Sequence, residues 1–241
     1  MKQSHSPLIE IIVKMRDHSQ RDRIYELLDH IKSDPTVQRH IYPNGYNTVA
    51  DFLMDLNSLY PDDLSPYLTS KTKKWTCSCC LKTFTENLTD EILSIVPIPQ
   101  SNKPLRICDI LKKHFFYQAS LFCPNCKEKT FSKVSTFLKS NFLIIDLQRF
   151  SLRKAGKRKE WIQNKRSIQI NADRTLELPD SPKYKLIGVI HHEGTMTSGH
   201  YWVNIMTKDG KWWELNDSVQ KPIMVISRKT LQIAIYVKAE H

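Results

Sequence analysis

The sequence predicts an α+β domain, and three observations predict it. Helical periodicity is concentrated before residue 117, whereas strand-length apolar runs dominate after it, and such segregation characterises α+β architecture. Two C-x-x-C pairs, Cys77/Cys80 and Cys123/Cys126, lie on either side of that boundary and point to a metal-organised module spanning it. With 241 residues and 40% apolar content the chain can bury one sizeable core, so residues 1–241 are read as a single domain.

The elements follow in order. Residues 1–8 are polar and are expected to fray. Residues 21–33 (RDRIYELLDHIKS) place Ile24, Leu27, Leu28 and Ile31 on one helical stripe. A second helix is expected over residues 48–59, capped by Asn47 and burying Val49, Phe52, Leu53 and Leu56. Residues 105–116 (LRICDILKKHFF) repeat apolar positions at 107, 110, 111 and 115, which makes an amphipathic helix with Cys108 near its apolar edge. A small buried residue is the default for such a cysteine. Residues 142–150 (FLIIDLQRF) have the apolar content of a central strand. Runs at 167–170, 184–192, 200–206, 211–215 and 232–238 complete a mostly antiparallel sheet.

Four thiolates in two C-x-x-C pairs match a tetrahedral structural zinc site, Cys77, Cys80, Cys123 and Cys126, each pair wrapping one edge of the ion. Cys79 lies inside the first pair and breaks the spacing as a ligand. No leader precedes these cysteines and no apolar run reaches the length of a membrane span, so a soluble intracellular protein, cytoplasmic or nuclear, is expected. The formal charge of +11 is high. Much of it lies in Arg153, Lys154, Lys157, Arg158, Lys159, Lys165 and Arg166, read as a solvated loop. Clustered Lys and Arg also suit an anionic partner such as nucleic acid, but no recognition helix or stacking motif accompanies them.

Asp209-Gly210 signals a two-residue hairpin turn between Lys208 and Lys211, because glycine tolerates the positive φ of a type I′ turn. In that register Asp217 shares the face of His200. A single β-bulge brings Asn216 there instead, since side chains alternate along a strand. Either residue would accept a hydrogen bond from one imidazole nitrogen of His200 and leave the other to act as a base. Of His191 and His192, one is read as part of a half-buried strand.

The segments running from His192 to Trp202 (H-E-G-T-M-T-S-G-H-Y-W) and from Lys211 to Asp217 (K-W-W-E-L-N-D) resemble the histidine box of the ubiquitin-specific proteases, a family of cysteine-type deubiquitinases. The resemblance covers roughly residues 20 to 238. The two C-x-x-C pairs are similar to that family's zinc ribbon, residues 96–99 (VPIP) to its L-x-I-P, and residues 142–150 to its L-I-x-x-L-x-R-F strand, with Asp146 where the family often has His. The resemblance implies a papain-like fold divided into a partial thumb (20–72), zinc-ribbon fingers with an intervening helix (73–135) and a palm (136–241). It implies hydrolysis of the isopeptide bond at the C-terminal glycine of ubiquitin or a ubiquitin-like modifier, with a scaffold protein as a further candidate partner. In that frame His200 is the base, Asn216 the third catalytic member with Asp217 beside it, and Asp51, Gly199 and Tyr201 contact substrate. Residues 48–59 match the thumb segment Q-Q-D-A-x-E-F-L poorly: Asp51 and Phe52 stand where Glu and Phe belong, and Thr48 replaces an Asp. Those family carboxylates hold the arginines of the ubiquitin tail, so one of two charges is missing.

The family's cysteine box, G-L-x-N-L-G-N-T-C-Y-x-N, has no counterpart in the 241 residues. Two readings of that gap stand, an incomplete version of a longer protease and a pseudoenzyme that binds ubiquitin or another partner. Either way, little or no proteolysis is expected of this stretch alone. A zinc-ribbon nucleic-acid binder is the third reading.

Overall fold

The computed structural model describes residues 48–59, 61–155, 160–195 and 198–239. The helix expected over 21–33, Asn47, and Lys157, Arg158 and Lys159 lie outside them.

Helix α1 (Val49–Leu59) begins at Thr48, which does the capping expected of Asn47. The Asp51 backbone N–H donates to Thr48 Oγ1 at 3.1 Å, and the Asp51 carboxylate accepts the Thr48 N–H at 3.0 Å and its hydroxyl at 2.7 Å. This reciprocal arrangement satisfies donors that a helix start otherwise leaves open. A short helix α2 (Pro61–Leu64) and a 3₁₀ turn (Ser65–Tyr67) follow.

Strands β1 (Lys71–Thr76) and β2 (Thr83–Asn87) flank the first cysteine pair, and β5 (Phe116–Phe122) and β6 (Lys129–Leu138) flank the second. They form one antiparallel sheet in the order β2-β1-β6-β5. Between these hairpins lie β3 (Ser94–Pro97), β4 (Leu105–Arg106) and helix α3 (Ile107–Phe115). The α3 face carrying Ile107, Ile110, Leu111 and Phe115 packs into the main core with Val96, Leu143 and Tyr184. Cys108 is part of that packing: its N–H donates to the Asp173 carboxylate at 2.8 Å and its thiol lies 3.6 Å from the Glu177 carbonyl.

The second sheet is built from β7 (Phe142–Gln148), β11 (Thr175–Leu176), β12 (Tyr184–Gly194), β13 (Gly199–Met206), β14 (Trp212–Asn216), β15 (Val219–Ile223) and β16 (Leu231–Lys238). Its order is β15-β14-β13-β12-β16-β7-β3, with β11 on β12. All of these pairings are antiparallel except β3 on β7. Odd-numbered residues of β7 face the main core, whereas Ile144 on the opposite face packs under α1 with Leu56 and Ile233. Two layers of apolar packing on one sheet thus hold α3 on one side and α1 on the other. No helix among the described residues is long and apolar enough to cross a membrane.

Two expectations need correction. The basic stretch forms, in its backbone, the hairpin β8 (Phe150–Ala155) with β9 (Glu160–Lys165) rather than a loop. Residues 167–170 add no strand to the large sheet; only β10 (Ile170–Asn171) forms there, parallel to β4. The reason is Arg149, a fully buried side chain whose guanidinium donates to the carbonyls of Arg166, Ile168, Leu231 and Arg228. With the Gln169 carbonyl accepting from the Leu105 N–H and the Ile170 N–H donating to the Arg228 carbonyl, these bonds give the segment partners outside the large sheet. Burial pulls the Arg149 pKa down to about 10. Arg149→Met is therefore expected to strand buried carbonyls from separate segments and to lower stability by about 3–5 kcal/mol. Urea unfolding measures this, and a change below about 1 kcal/mol would refute the account.

Candidate active site and metal centre

The metal centre is built by two copies of one local turn. In the first, the Leu81 N–H donates to the Cys77 carbonyl at 3.0 Å and the Cys77 N–H to the Lys82 carbonyl at 3.0 Å; in the second, Lys127, Cys123 and Glu128 repeat the pattern at 3.0 and 2.9 Å. Leu81 and Lys127 both take left-handed φ, 59° and 61°, the residue after each pair turning the chain back. The Sγ atoms of Cys77, Cys80, Cys123 and Cys126 all lie within 4.8 Å of one another, with Cys77–Cys126 at 3.8 Å and Cys80–Cys123 at 3.7 Å. A tetrahedral zinc with sulfurs at about 2.3 Å requires S–S edges of about 3.8 Å. The four thiols therefore fit a structural zinc ion. The backbone N–H of Cys80, and after it that of Cys79, points at the Cys77 sulfur and lowers its pKa to about 6, which favours the thiolate that a metal needs. Cys79 is exposed and outside the cluster.

The second constellation sits where β13 and β14 leave their turn. The loop between them has three residues, Lys208-Asp209-Gly210, not two. The Thr207 N–H donates to the Lys211 carbonyl, the Gly210 N–H to the Thr207 carbonyl, and Gly210 has φ +82°. Asp209, held to about 2 by the Thr207 hydroxyl and then Lys211, locks this loop. The extra residue shifts the register, so that Val203 faces Leu215 and Met206 faces Trp212. Asn216, rather than Asp217, then shares the face of His200. His200 Nε2 is 2.6 Å from Asn216 Oδ1, whereas Asp217 Oδ2 is 3.8 Å away on a side chain 79% exposed. Asp217 instead starts the next turn with φ +50°. Since Oδ1 only accepts, Nε2 donates and Nδ1 is left as the basic nitrogen.

A residue without a role in the sequence reading holds this ring. Trp202 stacks on His200 at 5.9 Å and on His191 at 5.1 Å between centroids, so the indole lies between two imidazoles. The available signal was its two-residue spacing from His200, which puts both on one strand face. His191 is fully buried; its Nε2 lies 2.6 Å from Asn204 Oδ1 and its Nδ1 3.1 Å from Thr230 Oγ1. Burial lowers its pKa against the opposing pull of Asn204, so it stays neutral and structural. His192 is buried as well and stacks on Tyr201 at 4.3 Å, in a strand whose residues alternate between buried and more exposed positions.

The remaining candidate residues fall on the other side of the sheet end. Tyr201 reaches the start of α1, where the Val49 N–H meets its hydroxyl; burial outweighs that bond and raises the tyrosine pKa. Asp51 caps α1 beside it. Gly199 packs under the His192 ring, and a Cβ there would collide with Nε2, so only glycine lets β13 approach β12 at this point. His200 with Asn216 and Asp51 with Tyr201 thus form two groups flanking one end of β13.

A profile of the ubiquitin carboxyl-terminal hydrolase family matches residues 22–236. Human Ubl carboxyl-terminal hydrolase 18 is 29% identical over 199 residues, covering 74% of this chain and 52% of its own length. Ubiquitin carboxyl-terminal hydrolase 25 of Arabidopsis thaliana is 28% identical over 195 residues, covering 76% and 27%. The chain thus spans about half of the human relative and less of the plant one. Among solved structures, the SAGA Ubp8/Sgf11/Sus1/Sgf73 DUB module bound to ubiquitin aldehyde is similar with a TM-score of 0.67 at 16% identity, covering 91% of this chain and 54% of the matched one. The profile match extends over most of the sequence, and the chain belongs to the ubiquitin carboxyl-terminal hydrolase family.

Proposed function

We propose that these residues are the partial thumb (20–72), fingers (73–135) and palm (136–241) of a cysteine-type deubiquitinase domain that acts on the isopeptide bond after the C-terminal glycine of ubiquitin or a ubiquitin-like modifier. The 2.6 Å contact of His200 with Asn216 carries this reading, because it leaves Nδ1 free as a base. In the reaction, Nδ1 takes the proton of a thiol and the thiolate adds to the carbonyl carbon. The protonated His200 then gives that proton to the departing lysine amine, and a thioester remains. Water, deprotonated by the same nitrogen, releases the modifier's carboxylate and the thiol. Asn216 holds the tautomer throughout, and Asp217 is a supporting acceptor beside it.

The thiol is the part that these 241 residues do not supply. Four cysteines form the ribbon, Cys108 is packed against Asp173 and Glu177, and Cys79 lies on the first knuckle. A catalytically silent module that binds ubiquitin or another partner is therefore the second reading. A scaffold protein is a further proposed partner, supported by the solved neighbour being one subunit of an assembled module. Six free cysteines suit a reducing compartment, cytoplasm or nucleus.

Titration with mono-ubiquitin tests both readings. Saturable binding is expected, weakened about tenfold by Asp51→Asn, which keeps an acceptor for the Thr48 N–H but removes the charge that meets a basic tail; a charge-assisted bond is worth about 1.5–3 kcal/mol. No binding at millimolar ubiquitin, or binding indifferent to Asp51, would count against the proposed mode.

A further inference from the structure

A groove of about 610 Å³ between the four-stranded sheet and α3 has no part in the chemistry above. Lys73 pairs with Thr136 across the sheet and Tyr117 with Val134, so Lys71, Lys73, Thr136 and Tyr117 share the face that forms one wall. Lys113, His114 and Phe115 of α3 form another wall, and residues 97–99 (PIP) complete the lining. Much of that lining is apolar, and Tyr117 is 42% exposed in it. Its described residues include three lysines and a histidine and no carboxylate. Lys71 is held by Glu91 and lies 5.6 Å from the centre of the Phe115 ring, so its charge is answered within the protein. Lys73 reaches Glu86 only at 3.7 Å, and Lys113 stands exposed on α3. The groove is on the α3 side of the large sheet, whereas α1, with Asp51 and Tyr201 beside it, lies on the other. It is therefore separate from the residues proposed to meet the substrate.

We infer that this groove docks a short acidic peptide segment of a partner protein, anchored by an apolar side chain. A lining with cations and no anions selects a negatively charged occupant, since like charges are rejected and opposite ones steered in. Its apolar surface needs side chains to cover it, which an inorganic anion or a sugar–phosphate backbone does not bring. Carboxylates would reach Lys73 and Lys113 from opposite walls, with the apolar anchor between them on Pro97 and Tyr117. Strand addition is not the mode of contact. Strand β3 is an edge of the large sheet, but Pro97 and Pro99 at its end have no N–H to offer a further strand. Bound there, the segment bridges the zinc-bearing sheet to the α3 layer of the main core. It gives a proposed scaffold partner a surface and a chemistry without requiring the domain to be catalytic.

Selection of a random dodecapeptide library, displayed on phage, against the whole 241-residue protein is the test. Enriched peptides are expected to carry several carboxylates around an aromatic residue or a leucine, and one of them, synthesised, should bind saturably. Lys73→Glu with Lys113→Glu should weaken it by about tenfold or more, the loss expected for charge-assisted bonds. Thermal melts verify folding, and Lys113→Glu alone, at an exposed helix position, serves if the pair does not fold. In the unaltered protein a photo-reactive group on the peptide should label residues 71–73 or 97–117. No enrichment, a neutral or basic consensus, binding indifferent to the charge reversal, or labelling of α1 would overturn the inference. A dimer, or binding of a labelled single-stranded RNA, abolished by the same reversal would overturn it too, by making the occupant a second copy or a nucleic acid. Mono-ubiquitin binding should be unchanged by the reversal, so the groove and the deubiquitinase reading can fail separately.

Discussion

Cys123→Ser is expected to release the metal and to unfold the cysteine end of the four-stranded sheet, the largest stability effect of any single change here. Cys123 is fully buried, but little around it could hold the two hairpins together without an ion. The large apolar residues near this end face water, Leu81 at 76%, Phe122 at 63% and Phe131 at 65% exposure, while Thr130 and Ser132 are buried in their place. The contacts between hairpins there are small, such as the Ser78 N–H to Thr130 Oγ1 at 3.0 Å and Lys82 Nζ to Asn125 Oδ1 at 3.2 Å. Structural zinc in small peptide sites contributes on the order of 10 kcal/mol at neutral pH, more than such contacts can replace. The purified protein should hold one equivalent of zinc and show one rapidly alkylated thiol, Cys79. A strong chelator should expose the four ligand thiols and a protease-sensitive segment between residues 77 and 126. Zinc below about half an equivalent, together with freely reactive Cys77, Cys80, Cys123 and Cys126, would remove the claim.

The second large effect belongs to His200. The 241-residue polypeptide is expected neither to turn over a fluorogenic ubiquitin substrate nor to form an adduct with a thiol-reactive ubiquitin probe. Residues of such a unit act together, so that without the attacking thiolate the His200–Asn216 pair has nothing to activate. Joined to a segment that supplies the thiol, the domain should become active, and His200→Ala should then cost on the order of 10⁴-fold or more in kcat/KM. Asn216→Ala should fall within the 10²–10⁴ range associated with positioned acid–base groups. Asp217→Ala should change the rate by only a few-fold, because its carboxylate, 3.8 Å from Nε2, is beyond hydrogen-bond reach and solvated. A probe adduct on Cys108, lost in Cys108→Ala and accompanied by His200-dependent turnover, would show that the nucleophile had been misplaced.

The order of these two asparagine and aspartate effects illustrates where sequence reasoning stopped. Alternation along β13 and β14 was legible, and so was the turn. Its length was not, since Asp209-Gly210 can close a two-residue turn or occupy a three-residue loop in which only Gly210 is left-handed. The side-chain bonds of Thr207 and Asp209 select the longer form, and the parity of a whole strand changes with it.

By itself the sequence determined what short-range chemistry dictates. The zinc ligands were readable because a C-x-x-C turn sets two sulfurs on one edge of a tetrahedron. The main strands and the apolar stripes of α1 and α3 were readable because periodicity is local. Only the tertiary structure decided which distant groups meet. Thr48 caps α1 through Asp51, Arg149 gathers the carbonyls of Arg166 and Ile168 onto one buried guanidinium, and Trp202 clamps His200 against His191. A one-residue bulge turns Gln232 onto Asp146. Each depends on strand register and on carbonyls far apart in sequence, and register is settled by the packing of the whole sheet rather than by any window of residues.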